Sequence, residues 1–178
     1  MHTTLALRCT VLAVQKPIMA GEVSAIAPAH ISVAARAQEA QDALAQASEV
    51  LQEAGVAYST HTCMGEAAQA VLQQASACGV NAIVIGRRGL GAIRAALLGS
   101  VSSQVIQDAP IPVIIVGENT PLAAPQTADG QRALRLLVAL DRFPNALRAA
   151  DFAADLSVRA GAPLHALHVQ ATLTLAEA

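Results

Sequence analysis

Aromatic side chains are almost missing from this sequence: Trp is absent, and the 178 residues carry one Tyr and two Phe. Proteins that hold single-stranded nucleic acid stack its bases on aromatic platforms, and this composition provides none. Basic charge is also scarce, with 11 Lys and Arg against 13 Asp and Glu and a formal charge of -2. Binding a phosphate backbone requires a basic surface, so nucleic acid is not an expected partner. Cysteine is sparse. Cys9, Cys63 and Cys78 are odd in number and form no CxxC pair, and with no secretion signal legible they read as reduced thiols of a cytosolic protein. Long apolar runs are lacking too. Residues 5–14 are apolar, but Arg8 interrupts them, no basic cluster precedes them, and ten residues cannot span a bilayer. The longer Ala-rich stretches carry regular Gln, Glu and Arg, so no membrane partner is expected.

What is present is aliphatic. Apolar residues make up 54% of the chain, which excludes disorder, and most are Ala, Val, Leu and Ile. That mixture suits Ala-rich helices covering a β-branched sheet. The length corresponds to one domain, or one and a fraction.

Residues 5–14 form a strand candidate stopped by Pro17, and 17–32 read as an irregular connection. From 33 to 54 the apolar positions Val33, Ala37, Ala40, Leu44, Ala47, Leu51 and Ala54 recur at helical steps, with Gly55 as the stop. Residues 56–62 are a short strand. Residues 66–78 are a second helix with Ala70, Val71, Ala75 and Cys78 inward. Residues 82–85 form a β-branched run of the kind buried on both faces of a parallel sheet. A helix begins at Gly99-Ser100 and ends near Pro110. Residues 111–116 are a strand that Pro112 confines to an edge or a strand start. Residues 118–131 are a linker by composition. The pattern then restarts with a strand over 134–140, a helix from Pro144 to about Ala160 with Leu147, Ala150, Ala154 and Val158 inward, and a strand over 164–169. Strands alternating with helices predict an α/β fold with a doubly wound parallel sheet.

The sharpest chemical signal is Gly86-x-x-Gly89, nine intervening residues, then Gly99-Ser100. Gly86 ends a predicted strand, the place where open α/β sheets bind ligands. Glycines there can take positive φ and approach a phosphate with no Cβ in the way. Gly99 and Ser100 open a helix whose free N–H groups and dipole favour an anion, and Arg87 or Arg88 can offset polyphosphate charge. Set against this are plainer readings: glycines that only make tight turns, and arginines that are only surface charge. The dinucleotide fingerprint is excluded because Arg94 stands where its third glycine belongs, and no GxxxxGK[ST] motif occurs. His165 and His168 are three apart on a predicted strand and face opposite sides. His61 and Cys63 have a ligating spacing but no evident further pair. No nucleophile elbow or paired catalytic carboxylates appear.

Gly86-Arg87-Arg88-Gly89, Leu98-Gly99-Ser100-Val101-Ser102 and Ile111-Pro112-Val113-Ile114-Ile115-Val116 together resemble the ATP-binding signature of the universal stress protein family. Asn81 departs from the family's usual Asp. The resemblance implies five parallel strands in the order 3-2-1-4-5. It also implies ATP as the ligand, accompanied or not by magnesium, and a homodimer formed along residues 111–116. It carries phosphate-cradling roles to Gly86, Gly89, Gly99 and Ser100, with Ser102 a weaker candidate. Asp141 matches the acidic residue near adenine and ribose, although a solvated strand end or a helix cap is an equally plain account of it. Val14 matches the apolar adenine contact. Arg142-Phe143 stands where the family commonly has Gly-Ser.

On that resemblance residues 1–117 are a family core lacking its first strand and helix, and 132–178 are a strand–helix–strand unit that completes the sheet in the same chain or by exchange with a second copy. The linker, at up to roughly 3.3 Å per residue, is long enough to reach back across a sheet. Two segments, 5–14 and 164–169, then compete for the second-strand position. A truncated tandem protein is the alternative account of the order. The expected function is a regulatory stress-response module that binds ATP. A slow ATP hydrolase and a nucleotide-free dimerising module are its rivals, and no dedicated catalytic base is legible.

Overall fold

Each strand and helix follows from the apolar pattern around it, and the differences from expectation lie in which faces are covered. The computed structural model describes residues 8–16, 29–87, 98–117, 120, 134–141 and 143–168. Pro17, Arg88, Gly89 and Arg142 lie outside these. The chain forms two compact units, Leu7–Thr120 and, beyond it, Pro121–Ala178.

In the larger unit the order is β1 (Arg8–Gln15), α1 (Ala29–Glu53), β2 (Ala57–Met64), α2 (Ala67–Ala77), β3 (Ile83–Gly86), α3 (Ser100–Asp108) and β4 (Val113–Val116). β1 pairs in parallel with β2, from Arg8↔Ala57 to Gln15↔Met64. β3 pairs in parallel with β4, from Ile83↔Val113 to Gly86↔Val116. The half-buried face of α1 includes Ala37, Ala40, Leu44, Ala47 and Leu51, the middle of the predicted stripe, and it lies on β1 and β2; Ala54, expected on that face, follows the helix and is exposed. α2 contacts both β1 and α3, and α3 contacts β4, so a layer of two helices runs across both strand pairs. Its centre is Ala68, Ile83 and Val105, packed by Val71, Leu72, Ile85, Val101, Ile111 and Val113. Pro112 immediately precedes β4, where its missing N–H costs no ladder bond, and its carbonyl accepts from the Ile83 N–H at 2.9 Å.

Two expectations are corrected here. Residues 82–85 are not covered on both faces: Ile83 is buried, but Val84 is 65% exposed and its register partner Ile114 is 40% exposed. Side chains alternate along a strand, and only the face bearing Ile83 and Val113 has helices on it. Cys78 does not point inward. It is exposed, as the residue that ends α2.

The second unit is one parallel βαβ motif: β5 (Leu136–Leu140), α4 (Pro144–Ala160) and β6 (Leu164–His168), with β5 and β6 in register from Leu136↔Leu164 to Leu140↔His168. Pro144 occupies the first turn of α4, where its missing N–H is harmless. Gly161 closes the helix in the left-handed conformation, φ 61° and ψ 31°, which glycine adopts without a Cβ penalty. Val138, Ala146 and Ala162 are buried. The inward face of α4 is the one through Ala146, Ala150, Ala153 and Leu156. Leu147 and Val158, expected inside, are 70% and 80% exposed, and Ala154, expected with them, is exposed too. The two stripes differ by about 100° around the helix, and both are apolar, so periodicity alone cannot choose between them.

The five-stranded sheet expected from the resemblance is not assembled among the described residues: six strands form three parallel pairs. No ladder joins β1 to β3, and β5 pairs with β6. Both second-strand candidates are therefore strands, one beside β2 and the other beside β5. Among the described residues no helix is long and apolar enough to cross a membrane.

Val105 is fully buried beneath α3, so Val105→Ala should cost about 1–3 kcal/mol through lost contact and an unfilled cavity. Val84→Ala, on the open face, should stay within about 0.5 kcal/mol of the parent. Urea unfolding of both variants measures the difference.

Candidate functional site

The carboxyl ends of β3 and β4 and the start of α3 meet at one edge of the larger unit. Gly86 is the last residue of β3, in register with Val116. The next residue, Arg87, is pinned from both sides. Its N–H donates to the Val116 carbonyl at 2.7 Å, and its own carbonyl accepts from the Gly99 N–H at 2.9 Å. The Ser102 hydroxyl lies 3.0 Å from the Arg87 carbonyl oxygen and 3.0 Å from that of Gly99. Strand exit and helix start are thus joined directly, although eleven residues separate Arg87 from Gly99.

Gly99 is the residue before the first helical position of α3, with φ −64° and ψ 153°. This is extended backbone open to any residue, so Gly99 is not required there by positive φ. Ser103 N–H donates to Gly99 O at 2.9 Å, the first intrahelical bond, so the amides of Ser100, Val101 and Ser102 precede the helical ladder, the usual position for anion contact. Ser100 is exposed, whereas Ser102 is 2% exposed with its hydroxyl turned inward. Arg87 is half-buried. The donor set suits a polyphosphate: backbone amides at a helix start, an exposed hydroxyl and an arginine.

Of the adenosine-side candidates, Val14 is half-buried near the end of β1, in register with Cys63. Asp141 follows β5 in the other unit and is exposed. Its Oδ1 accepts from the Phe143 N–H at 2.8 Å, a side-chain turn that leads into α4. Phe143 itself is 69% exposed. The His168 ring contacts the Leu140 carbonyl through Nδ1 at 2.8 Å, closing the end of the β5–β6 pair. Among the described residues no three His, Cys, Asp or Glu side chains come together as a metal site. Sequence reasoning missed the carbonyls of Arg87 and Val116, which organise this edge. Being backbone groups they leave no mark in the residue pattern, and only the strand pairing reveals them.

Parallel strand pairs alternating with helices place the chain in the α/β class. The sequence profile of the universal stress protein family matches residues 4–117 and 133–178, and this chain belongs to that family. Among its relatives, universal stress protein Rv1996 of Mycobacterium tuberculosis is 40% identical over 86 residues, 48% of this chain and 25% of the relative. Universal stress protein YxiE of Bacillus subtilis is 41% identical over 73 residues, 41% of this chain and 49% of the relative. The chain thus spans a quarter to a half of the curated relatives it matches. A universal stress protein from Archaeoglobus fulgidus superposes with a TM-score of 0.65 at 22% identity, covering 92% of this chain and 57% of that one, a likeness of fold.

The bond from Phe143 N–H to Asp141 gives a direct expectation. Asp141→Ala should lower the stability of the β5–α4–β6 unit by about 1 kcal/mol, the ordinary net worth of one intramolecular hydrogen bond. Asp141→Asn, which keeps the acceptor, should retain most of it. Thermal unfolding followed by circular dichroism reads both.

Proposed function

We propose that this chain binds ATP reversibly as a regulatory stress-response module, with the polyphosphate held between the exit of β3 and the first turn of α3. The observation that carries the reading is the direct tie from the Arg87 carbonyl to Gly99 and Ser102, which keeps the glycine-ended strand beside the helix start. Gly86 and Gly99 present backbone without a Cβ. The amides of Ser100, Val101 and Ser102 and the dipole of α3 favour negative charge. The Ser100 hydroxyl and the Arg87 guanidinium add a donor and a cation. The family resemblance adds Arg88 and Gly89 to the phosphate side and Val14 to the adenine side. Magnesium, where it accompanies the nucleotide, would neutralise phosphate charge. Binding that alters partner choice or dimerisation along 111–116 is the regulatory output.

One observation favours a second reading of Asp141. The two stretches matched by the family profile, 4–117 and 133–178, follow the division into two compact units, and each unit holds its own parallel strand pairing. On this reading the units are parts of two successive family domains. Asp141 then serves a nucleotide site of the second and does not complete the first.

Isothermal titration tests both readings. The parent chain should bind ATP in the micromolar range. Gly99→Val, whose backbone angles any residue accepts, should weaken binding by about tenfold or more by filling the phosphate side; equal affinities would reject the site. Asp141→Ala should leave that affinity unchanged if the units belong to separate domains, and should weaken it if the acidic group completes this site.

A further inference from the structure

The ATP-site motif contains two serines that the sequence offers as equivalent phosphate donors, Ser100 and Ser102. They are two residues apart on α3, hence about 200° apart around the helix, and cannot face one ligand together. The structure assigns Ser102 a positioning role: its buried hydroxyl latches the start of α3 to the exit of β3 and does not touch the nucleotide. This rests on the reading of that edge as the ATP site, and it divides the motif into an outward serine, Ser100, and an inward one.

Burial and geometry support the assignment. Ser102 is 2% exposed, and its Oγ is 3.0 Å from both the Arg87 and the Gly99 carbonyl oxygens. A hydroxyl has one proton, so the two carbonyls share it. Turning that proton to an anion would strip the Arg87 carbonyl of its second donor in a nearly water-free position, which is unfavourable. The Arg87 carbonyl is also the acceptor for the Gly99 N–H, so the hydroxyl and the amide hold one oxygen from adjacent turns. The consequence is preorganisation. Arg87 and Gly99 are held together before a ligand arrives, and binding does not have to supply that ordering. A phosphate-contacting serine would act through its own bond to ATP, whereas a latch acts through the Gly99 amide, and the two are separable.

The experiment combines hydrogen exchange of the Gly99 amide, followed by NMR without nucleotide, with ATP titration. Ser102→Ala and Ser102→Cys should each speed Gly99 exchange and weaken ATP about fivefold, the ordinary worth of one intramolecular hydrogen bond. Ser102→Thr should restore both, because a threonine hydroxyl held at the Gly99 carbonyl three residues back also lies within reach of the Arg87 carbonyl, as the serine hydroxyl does. Leu44→Ala, in the half-buried stripe of α1 that lies on β1 and β2, serves as the control for general destabilisation, with a lower Tm and parental ATP affinity. Parental Gly99 exchange or parental ATP affinity in both the Ala and Cys variants would overturn the latch while leaving ATP binding intact. Absence of ATP binding by the parent chain would instead overturn the site, and Gly99 exchange would still decide whether the hydroxyl holds the helix start.

Discussion

One carbonyl oxygen organises the functional edge of this protein. The Arg87 carbonyl leaves β3 and accepts from the Gly99 N–H and the Ser102 hydroxyl, so the strand exit and the helix start form one rigid corner. Beneath that corner Val105 is fully buried, against Ile83 and Ala68. The apolar core therefore sets the position of α3, and the polar latch sets the distance of its first turn from the strand. Together they turn an ordinary helix terminus, with its unpaired amides and positive dipole end, into a directed set of donors.

The sheet around the corner is built in pairs. Parallel strands are normally covered on both faces, yet the β3–β4 pair leaves Val84 and Ile114 open, and the β5–β6 pair leaves Leu137 and Leu167 open. α4 adds the exposed stripe of Leu147 and Val158. These exposures have a common origin. Among the described residues, the helices cover one side of these pairs. Aliphatic composition ensures that every strand wants cover, and the local connections deliver it only where a helix returns over its own strands.

Much of this was legible beforehand. The α4 limits, the stripe of α1 and the strand start after Pro112 follow from periodicity, proline chemistry and glycine stops, all short-range effects. The glycines and serines of the candidate site were also marked by their spacing. What failed were statements about faces: Ala54, Cys78, Leu147, Ala154 and Val158 are apolar residues at helical steps that turned out exposed. An apolar stripe shows that a helix has a side suited to burial, and says nothing of which of two adjacent stripes meets a neighbour.

By itself the sequence determined the element types, their order and the family, because propensity, periodicity and a spaced glycine–serine motif are properties of residues near one another along the chain. Tertiary structure alone decided that six strands of the described residues pair two by two, that Gly99 sits in extended backbone with no call on positive φ, and that Ser102 points inward. Those outcomes depend on hydrogen bonds between backbone groups far apart in the chain, and a carbonyl carries no residue identity from which its partner can be read.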